Sequence, residues 1–367
     1  MKMFIKRRAA IITAFDPFAF KGGIETFTIH LISLLESYGV KADLYHTGMV
    51  NSMRGFSNDL IGRAYSLGRK LLRMDEQYDL IIANSFYGLG YFPPKIKTVN
   101  VYHSSHIGFA ESQKAIIPHH VYLEWKVLCG ELCEMVSGFD RLKIAVSESV
   151  RDELQHYYGF KDVEVVPHGI DTKTFSKYDK ASVRADWGIP QDVFTGLYVG
   201  RWDDTKGSSI TAEVIKRSPG LMWVLIVGTG SDRDMLPKGD NVRVIEQVDH
   251  ERMGEIYSAA DFMLFPSRYE AFGYVIIEAM ACELPVITSN VGIAQTIYKM
   301  EPFCGLLLPD FKEGPENIVS SAISKIGVLR SDTERRSSLG LESRKVVMER
   351  YSIDRWSDRM SEVLGLK

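Results

Sequence analysis

Short apolar runs rich in β-branched residues alternate with helical patterns along the chain, and this alternation limits the fold more than any other feature. Between the first two runs, Ile24, Phe27, Leu31, Leu34 and Leu35 fall on one face of a helix. Strands that alternate with helices form right-handed βαβ units on a parallel sheet. The runs expected to form strands are residues 9–13, 40–44, 79–83, 98–102, 143–146, 163–166, 195–200, 222–227, 242–245, 262–265, 286–288 and 306–308.

The strand series restarts after residues 167–171, a turn-rich segment that is typical of a linker. A chain of 367 residues is also longer than one hydrophobic core usually serves. We therefore expect a Rossmann-like domain over residues 1–168 and a second over 169–349, with a C-terminal helix at about 350–367 that packs back on the first. Two doubly wound α/β domains would face a cleft at the carboxyl ends of their strands, where such sheets bind ligands.

Composition excludes several classes of protein. The hydrophobic fraction of 45%, the charged fraction of 25% and the net charge of -3 are those of a globular protein, without the basic surplus of a nucleic-acid binder. The sequence has no secretory signal pattern and no apolar run of the roughly 20 residues that span a bilayer, so we expect a cytoplasmic location. The four scattered cysteines indicate buried thiols and no metal site.

Two cations follow the predicted strand 195–200. Arg201 provides a planar fork of donors and Lys206, five residues later, a compact ammonium group, and a loop between strand and helix can direct both at one diphosphate. The alternative is an exposed charged turn in which Asp203 and Asp204 are local partners.

Two glutamates bracket a glycine after the predicted strand 262–265. We expect a helix to begin near Gly273, so that its first amides attract phosphate, with Glu270 in the preceding loop and Glu278 more than one turn inside. Carboxylates at such a site suit vicinal sugar hydroxyls, because each accepts two hydrogen bonds. The alternative makes Glu270 a helix-capping acid and Glu278 a solvated side chain, although Glu278 has apolar neighbours in the sequence.

Two features of the first half of the chain are expected at the same cleft, because each follows a predicted strand. Gly22 and Gly23 follow the first strand and permit close approach of a ligand to the backbone. His103 follows the strand 98–102 and is the histidine best placed for the cleft, although a histidine at this position is more often structural than catalytic.

Together these segments resemble the retaining glycosyltransferases of the GT-B fold, specifically glycosyltransferase family 4, over nearly the whole chain. His168 stands in the linker motif where that family commonly has asparagine, and Glu246 stands where a glycine is usual before the base loop. The matching motifs are residues 22–25, 145–147, 167–171, 200–201 with 206–207, 265–267, the pair Glu270 and Glu278, 278–281 and 284–286.

The resemblance implies a donor site in the second half of the chain. Arg201 and Lys206 would neutralise the diphosphate of a nucleotide sugar, and Glu270 would contact the transferred sugar. Glu278 would hold the ribose hydroxyls, and the loop around Val248 would carry the base. The residues implied to hold phosphate by their amides, or to flank them, are Phe272, Gly273, Tyr274 and Val275.

The resemblance also implies a catalytic mode. Gly23 would admit the distal phosphate, and His103 would steady the sugar near the reacting carbon, which makes His103, Glu270, Arg201 and Lys206 the expected catalytic set. Such enzymes retain the anomeric configuration, and the departing phosphate can take the acceptor proton. We therefore expect a retaining, metal-independent transfer of a hexose-type sugar, with a UDP-linked donor favoured over a GDP-linked one and no cofactor.

Two other classes of protein share parts of this pattern: a nucleotide-sugar epimerase of related fold, and a catalytically silent nucleotide-binding partner subunit. The acid-x-acid triplet Asp232-Arg233-Asp234, a metal motif in other glycosyltransferase folds, lies in a polar loop and is expected to be surface. Gly228 and Gly230 lack the third glycine of a dinucleotide fingerprint, because Arg233 occupies its place.

The acceptor is expected to be a hydroxyl group of a glycan, a lipid-linked saccharide, or another cell-envelope or secondary-metabolite precursor. Residues 54–73 contain five basic residues and one acid, with an apolar pattern beside them that runs from Leu60 through Ala64 and Leu67 to Leu71. That pattern suits a helix on an anionic membrane surface; the alternative is an ordinary amphipathic helix packed on the sheet.

Overall fold

A computed structural model describes residues 7–20, 22–56 and 58–367, and it divides the chain into two compact units. The first comprises Met1–His168 and Ser357–Lys367, and the second Gly169–Trp356. Residues 1–6, to which the expectation about a signal segment applies, lie outside the described residues, as do Lys21 and Ser57.

The first unit contains a six-stranded parallel sheet in the order β2-β1-β3-β4-β5-β6. Its strands are β1 (Arg8–Thr13), β2 (Lys41–His46), β3 (Leu80–Asn84), β4 (Thr98–Tyr102), β5 (Leu142–Ala145) and β6 (Val163–Val165). Its helices are α1 (Gly23–Ser37), α2 (Asp59–Leu71), α3 (His106–Gln113), α4 (His119–Leu123), a π-helical segment (Glu124–Glu134), α5 (Met135–Ser137) and α6 (Glu148–Tyr158).

The second unit has a six-stranded parallel sheet in the order β12-β11-β10-β7-β8-β9. Its strands are β7 (Thr195–Val199), β8 (Met222–Ile226), β9 (Val242–Ile245), β10 (Phe262–Phe265), β11 (Val286–Thr288) and β12 (Leu306–Leu307). Its helices are α7 (Lys180–Trp187), α8 (Ser208–Arg217), α9 (Met253–Ala259), α10 (Tyr274–Ala281), α11 (Ile293–Met300), α12 (Pro315–Ser331) and α13 (Thr333–Arg350). The last helix, α14 (Ile353–Leu364), begins in this unit and ends in the first one, where Lys97 Nζ donates to Leu364 O at 2.7 Å.

Burial explains why these runs form strands. The middle strands β3, β4, β7, β8 and β10 are buried along their whole lengths, as expected for a parallel sheet covered by helices on both faces. The doubly wound α/β class is confirmed, and all twelve predicted strands are present, with ends displaced by at most two residues. The largest displacement is in β2, which continues to His46 because its pairing with β1 extends to Thr13.

The helix α2 resolves the two alternatives for residues 54–73. Ala64, Leu67 and Leu71 are fully buried in the core of the first unit, whereas Arg69 and Lys70 are exposed. The packed amphipathic helix is therefore the observed one, because the apolar face that lipid would need is already covered by protein. Among the described residues, no helix is both long enough and apolar enough to cross a membrane.

A glycine in the loop between β7 and α8 permits two loops to touch. Gly207 has φ +73°, and a Cβ atom there would lie 2.1 Å from the carbonyl oxygen of Pro266, in the loop after β10. Backbone and side-chain bonds join the same loops: the amide of Arg268 donates to Thr205 O at 3.0 Å.

We predict that Gly207→Ala destabilises the protein more than Gly220→Ala does. Both positions have positive φ, which costs a residue with a Cβ about 1–2 kcal/mol, but at Gly220 a Cβ would meet nothing within 4 Å. The contact with the Pro266 carbonyl should add at least about 2 kcal/mol at position 207. Denaturant unfolding of both variants measures the difference, and equal losses would contradict the account.

Candidate active site

The loop after β7 places Arg201 on the surface of the second unit. The Asp203 side chain accepts a hydrogen bond from the amide of Lys206 at 3.2 Å, which closes a short turn over Asp204–Lys206. Arg201 Nε lies 3.2 Å from Asp203 Oδ2, and 51% of the Arg201 side chain is exposed. An exposed ion pair of this kind is weak, so the guanidinium can exchange Asp203 for an anionic ligand.

Lys206 contacts the loop between β10 and α10. Its Nζ lies 2.5 Å from Glu270 Oε1, and Ser267 Oγ donates to the same carboxylate oxygen at 3.0 Å. The pair is largely buried, with 21% of the Lys206 side chain and 13% of the Glu270 side chain exposed. The predicted Lys206 and Glu270 are therefore brought together, and Glu270 is bound by a lysine of the β7 loop and does not cap α10.

The helix α10 begins where the sequence predicts it. Gly273, with φ +93°, precedes its first residue Tyr274, and glycine has no side chain that could cap the first amides. The start of α11 fixes the loop that precedes α10. The amide of Ile293 donates to Phe272 O at 2.7 Å, and a Cβ on Gly292 would lie 2.4 Å from that oxygen. A helix that begins after a glycine fixed in this way is a suitable anion site. It follows Glu270, the partner of Lys206, by a few residues in the chain.

Glu278 is buried on α10, which rules out a solvated side chain. Its Oε2 accepts a hydrogen bond from the Tyr257 hydroxyl at 2.7 Å, and 8% of the residue is exposed. Burial raises the pKa of this carboxyl to about 7, and the bond from Tyr257 opposes the rise only in part. A ligand that donates hydrogen bonds, as a diol does, would favour the charged form.

The loop after β9 contains Val248, which is partly buried. Glu246, at the start of this loop, forms an ion pair with Arg233, whose Nη1 also donates to Gly228 O at 2.9 Å. Asp232 accepts from Ser208 Oγ at 3.1 Å. Asp232 and Arg233 of the triplet thus have protein partners, and the described ranges contain no group of three His, Cys, Asp or Glu residues arranged for a metal ion.

The first unit holds Gly23 and His103. Gly23 is the exposed first residue of α1, and Gly22 before it is extended, with φ −175°. His103 is buried after β4, with its Nε2 3.0 Å from Asn84 Oδ1. Because the Asn84 amide donates to Thr28 Oγ1 at 3.0 Å, its oxygen must accept from His103, so the imidazole carries its proton on Nε2.

Burial keeps His103 neutral, lowering the pKa of the imidazole to about 3. The ring stacks on His168 at a centroid distance of 5.5 Å and meets the edge of Phe27 at 4.8 Å. Within the described part of the chain, Nδ1 has no hydrogen-bond partner. At neutral pH His103 can therefore accept a hydrogen bond at Nδ1 but cannot act as an acid.

Several contacts of these residues escape sequence reasoning. Asn84, Tyr257 and Ser267 each bond a predicted site residue from a distant part of the chain. Two of them had a signal in the sequence: Asn84 is a polar residue at the end of an apolar strand, and Ser267 belongs to the motif 265–267 of the family resemblance.

Two doubly wound units with glycine-rich and cationic loops at the carboxyl ends of their strands define the GT-B architecture. The family described as "Glycosyltransferase Family 4" matches residues 21–174, and the one described as "Glycosyl transferases group 1" matches residues 179–321. The chain therefore belongs to the GT-B glycosyltransferases with domains of these two families.

Solved structures have the same fold. Sucrose-phosphate synthase from Thermosynechococcus elongatus superposes with a TM-score of 0.80 at 22% identity and covers 98% of each chain. WaaG, a glycosyltransferase involved in lipopolysaccharide biosynthesis, has a TM-score of 0.75 at 16% identity, over 97% of this chain and 100% of that one. Anabaena HepE in complex with UDP and glucose has a TM-score of 0.71 at 18% identity, over 97% and 99%.

Among curated relatives, D-inositol 3-phosphate glycosyltransferases recur. That of Segniliparus rotundus is 33% identical over 176 residues, which are 43% of this chain and 39% of the relative. That of Xylanimonas cellulosilytica is 25% identical over 333 residues, 83% of this chain and 77% of the relative. The chain thus spans about two fifths of the length of the relatives that it matches at the higher identity.

We predict that Glu278→Gln becomes more stable relative to the parent as the pH rises. The folded protein holds a proton on Glu278 that the unfolded chain releases above its ordinary pKa of 4.5, so this contribution to stability is complete below pH 4.5 and lost as the pH rises through 7. Glutamine mimics the protonated acid, and the gap should reach roughly 1–3 kcal/mol by pH 8. Thermal unfolding from pH 5 to 8 measures it, with the exposed Glu251→Gln as control. A gap that does not change with pH would contradict the raised pKa.

Proposed function

We propose that this protein transfers a hexose-type sugar from a nucleotide-diphosphate sugar to a hydroxyl acceptor, with retention of configuration and without a metal ion. The observation that carries the proposal is the Lys206–Glu270 pair, with Arg201 in the same loop and the glycine-led start of α10 following Glu270. These groups provide two cations, a helix N-terminus and a carboxylate within two neighbouring loops of one sheet.

Each group has a place in the proposed reaction. A bound diphosphate takes over Lys206 and Arg201, which releases Glu270 to accept hydrogen bonds from hydroxyls of the transferred sugar. The cations then stabilise the charge that develops as the bond between C1 of the sugar and the phosphate oxygen breaks. The acceptor oxygen bonds C1, and its proton passes to the departing phosphate, so the buried and neutral His103 is needed only for positioning.

The second unit would also bind the nucleoside. Glu278 would accept from the ribose hydroxyls, and the loop with Val248 would hold the base. Because a diol stabilises the charged carboxylate, nucleotide binding would draw the pKa of Glu278 down from about 7 and release a proton.

We propose a UDP-linked donor over a GDP-linked one, and structural neighbours in complex with UDP support this choice. Structural neighbours include HepE in complex with UDP-glucose and TarM in complex with UDP. The curated relatives act on D-inositol 3-phosphate by name, which supports a polyol hydroxyl as one acceptor to test beside glycans and lipid-linked saccharides.

A screen of nucleotide sugars tests this proposal. We expect the protein to release nucleotide slowly from one UDP sugar by hydrolysis, with unchanged rate in EDTA, and faster when D-inositol 3-phosphate or a glycan acceptor is added. NMR of the product should show the anomeric configuration of the donor. An epimerised donor without transfer would indicate an epimerase, and nucleotide binding without turnover a silent subunit. Activity lost in EDTA and restored by Mn²⁺ would contradict metal independence.

Substitutions test the assigned residues in the same assay. Lys206→Met and Arg201→Gln should each lower turnover about 10²- to 10³-fold, the usual effect of removing a group that stabilises developing charge. Lys216→Met, which removes an exposed cation of α8 in the same unit, is the matched control and should leave the rate unchanged. Full activity in Lys206→Met would refute its role.

We further propose that the protein is cytoplasmic and that it contacts an anionic membrane through the exposed side of α2. A groove of about 530 Å³ is lined by Met53, Tyr65, Ser66, Arg69, Lys70 and Arg73, with no acid in its lining. In the described residues, Arg69 and Arg73 have no acidic partner, and Met53 is 48% exposed. Cations beside an exposed apolar side chain suit phospholipid headgroups, and binding would be mainly electrostatic because the apolar face of α2 is buried.

Vesicle co-sedimentation tests this surface. The protein should bind vesicles that contain phosphatidylserine at low salt, and replacing Arg69, Lys70 and Arg73 by glutamine should weaken binding about tenfold or more. The control changes the same charge in the second unit, at the exposed Lys216, Lys238 and Lys299. Equal binding by both triple variants, or no binding by the parent, would refute the contact.

A further inference from the structure

One carboxylate of the first unit is completely buried outside the residues discussed so far. Glu134 ends the π-helical segment Glu124–Glu134 and has 0% of its surface exposed. A carboxylate taken out of water in this way is stable only when donors surround it.

Donors from three elements surround Glu134. Oε2 accepts from the amide of His106 at 2.8 Å and from the Tyr158 hydroxyl at 2.6 Å, and Oε1 accepts from Ser85 Oγ at 2.7 Å. His106 Nδ1 lies 3.1 Å from Oε1, although its N–H does not point straight at the oxygen, so the contact is an ion pair more than an aligned hydrogen bond.

These contacts make Glu134 the anion of a helix N-terminus. His106 is the first residue of α3, where the backbone amides favour negative charge. Burial by itself would raise the pKa of Glu134, but the charge of His106 and the surrounding donors outweigh it and lower the pKa below its usual value. For His106, burial lowers the pKa and the charge of Glu134 raises it, and the net shift of the pKa is upward. Burial most of all, and the Glu134 charge to a smaller extent, also raise the pKa of several other groups nearby: Tyr87, Tyr102, Cys129, Cys133 and Tyr158.

Glu134 bonds the loops after β3 and β4, and these two loops carry Asn84 and His103, which are hydrogen-bonded to each other. Ser85 follows Asn84, and His106 lies three residues after His103, whose Nε2 meets Asn84 Oδ1 at 3.0 Å. Ser85 has φ +47°, a left-handed conformation that costs a serine about 1–2 kcal/mol and that its bond to Glu134 offsets. The loops after β3 and β4 thus share one buried anchor.

We propose that Glu134 is a positioning residue, which sets the orientation and tautomer of His103 by clamping the Ser85 hydroxyl and the N-terminus of α3. This role rests on the proposed function, because it matters for transfer only if His103 faces the transferred sugar. Glu134 itself has no exposed surface with which to touch the donor or the acceptor.

The chemistry of the anchor supplies a rescue variant. In Glu134→Gln, the amide oxygen can accept from the His106 amide and the Tyr158 hydroxyl, while the amide nitrogen donates to Ser85 Oγ or to neutral His106 Nδ1. Glutamine therefore keeps the clamp and removes the charge, whereas Glu134→Ala removes both. Tyr158→Phe is the comparison variant. It deletes one donor of α6, together with that hydroxyl's contacts with Ser105 and Ile107, but it leaves the carboxylate and its bonds to the Ser85 hydroxyl and the His106 amide in place.

The experiment compares these variants in the full chain by three readouts: UDP affinity, the rate of hydrolysis of the UDP sugar found in the donor screen, and the ¹⁵N shifts of labelled histidines. Glu134→Ala should lower the hydrolysis rate about tenfold with UDP affinity unchanged, and should replace the single Nε2–H tautomer of His103 by a mixture. Glu134→Gln should restore the rate to within about threefold and the single tautomer, while lowering the pKa of His106. A tenfold effect corresponds to about 1.4 kcal/mol.

Two results would overturn the proposal: an unchanged His103 tautomer and rate in Glu134→Ala, or a rate loss in Tyr158→Phe as large as in Glu134→Ala. If Glu134→Ala does not fold, Ser85→Ala takes its place and must disturb the His103 tautomer more than Tyr158→Phe does. A parent protein that neither binds UDP nor hydrolyses any nucleotide sugar would instead refute the proposed function, and the tautomer comparison would still decide whether Glu134 orients His103.

Discussion

The ion pair between Lys206 and Glu270 is the interaction on which the candidate donor site depends. It joins the loops after β7 and β10 with an Nζ–Oε1 distance of 2.5 Å, and it forms because Gly207 leaves room for the Pro266 carbonyl. Parallel strands that end at one edge bring such loops together. This largely buried pair holds both charges in place without a ligand. A diphosphate that replaces Glu270 as the partner of Lys206 would gain a preformed cation and would free a carboxylate for the sugar.

The buried carboxylates of the two units differ in how many protein donors bond them, and this difference matches their proposed roles. In the second unit Glu278 has one donor, Tyr257, and burial raises its pKa to about 7, so it is prepared for a ligand that donates more hydrogen bonds. In the first unit Glu134 has donors from Ser85, His106 and Tyr158, and its pKa is lowered. A carboxylate whose bonds are already supplied by protein is suited to hold a loop, and one that lacks them is suited to bind a ligand.

Much of the fold could be predicted from the sequence because parallel strands and covering helices leave periodic apolar patterns. The start of α10 at Gly273 and the cationic loop after β7 could also be predicted, since glycine and charge are local signals. The partner of Lys206 could not, because Asp203 and Asp204 are nearer in sequence than Glu270. The same holds for Asn84 beside His103, for Tyr257 beside Glu278 and for the whole Glu134 cluster, whose members are joined only by the packing of separate elements. The basic helix α2 shows the limit of a pattern: an apolar face does not say whether protein or lipid covers it.

The most direct test of the account is a crystal structure of the protein with UDP. We expect the β-phosphate oxygens within hydrogen-bonding distance of Lys206 Nζ, the Arg201 guanidinium and the amides at the start of α10, with Glu270 no longer bonded to Lys206 and the ribose hydroxyls on Glu278. UDP bound elsewhere, or bound while the Lys206–Glu270 pair stays closed, would contradict the claim that this pair marks the diphosphate site.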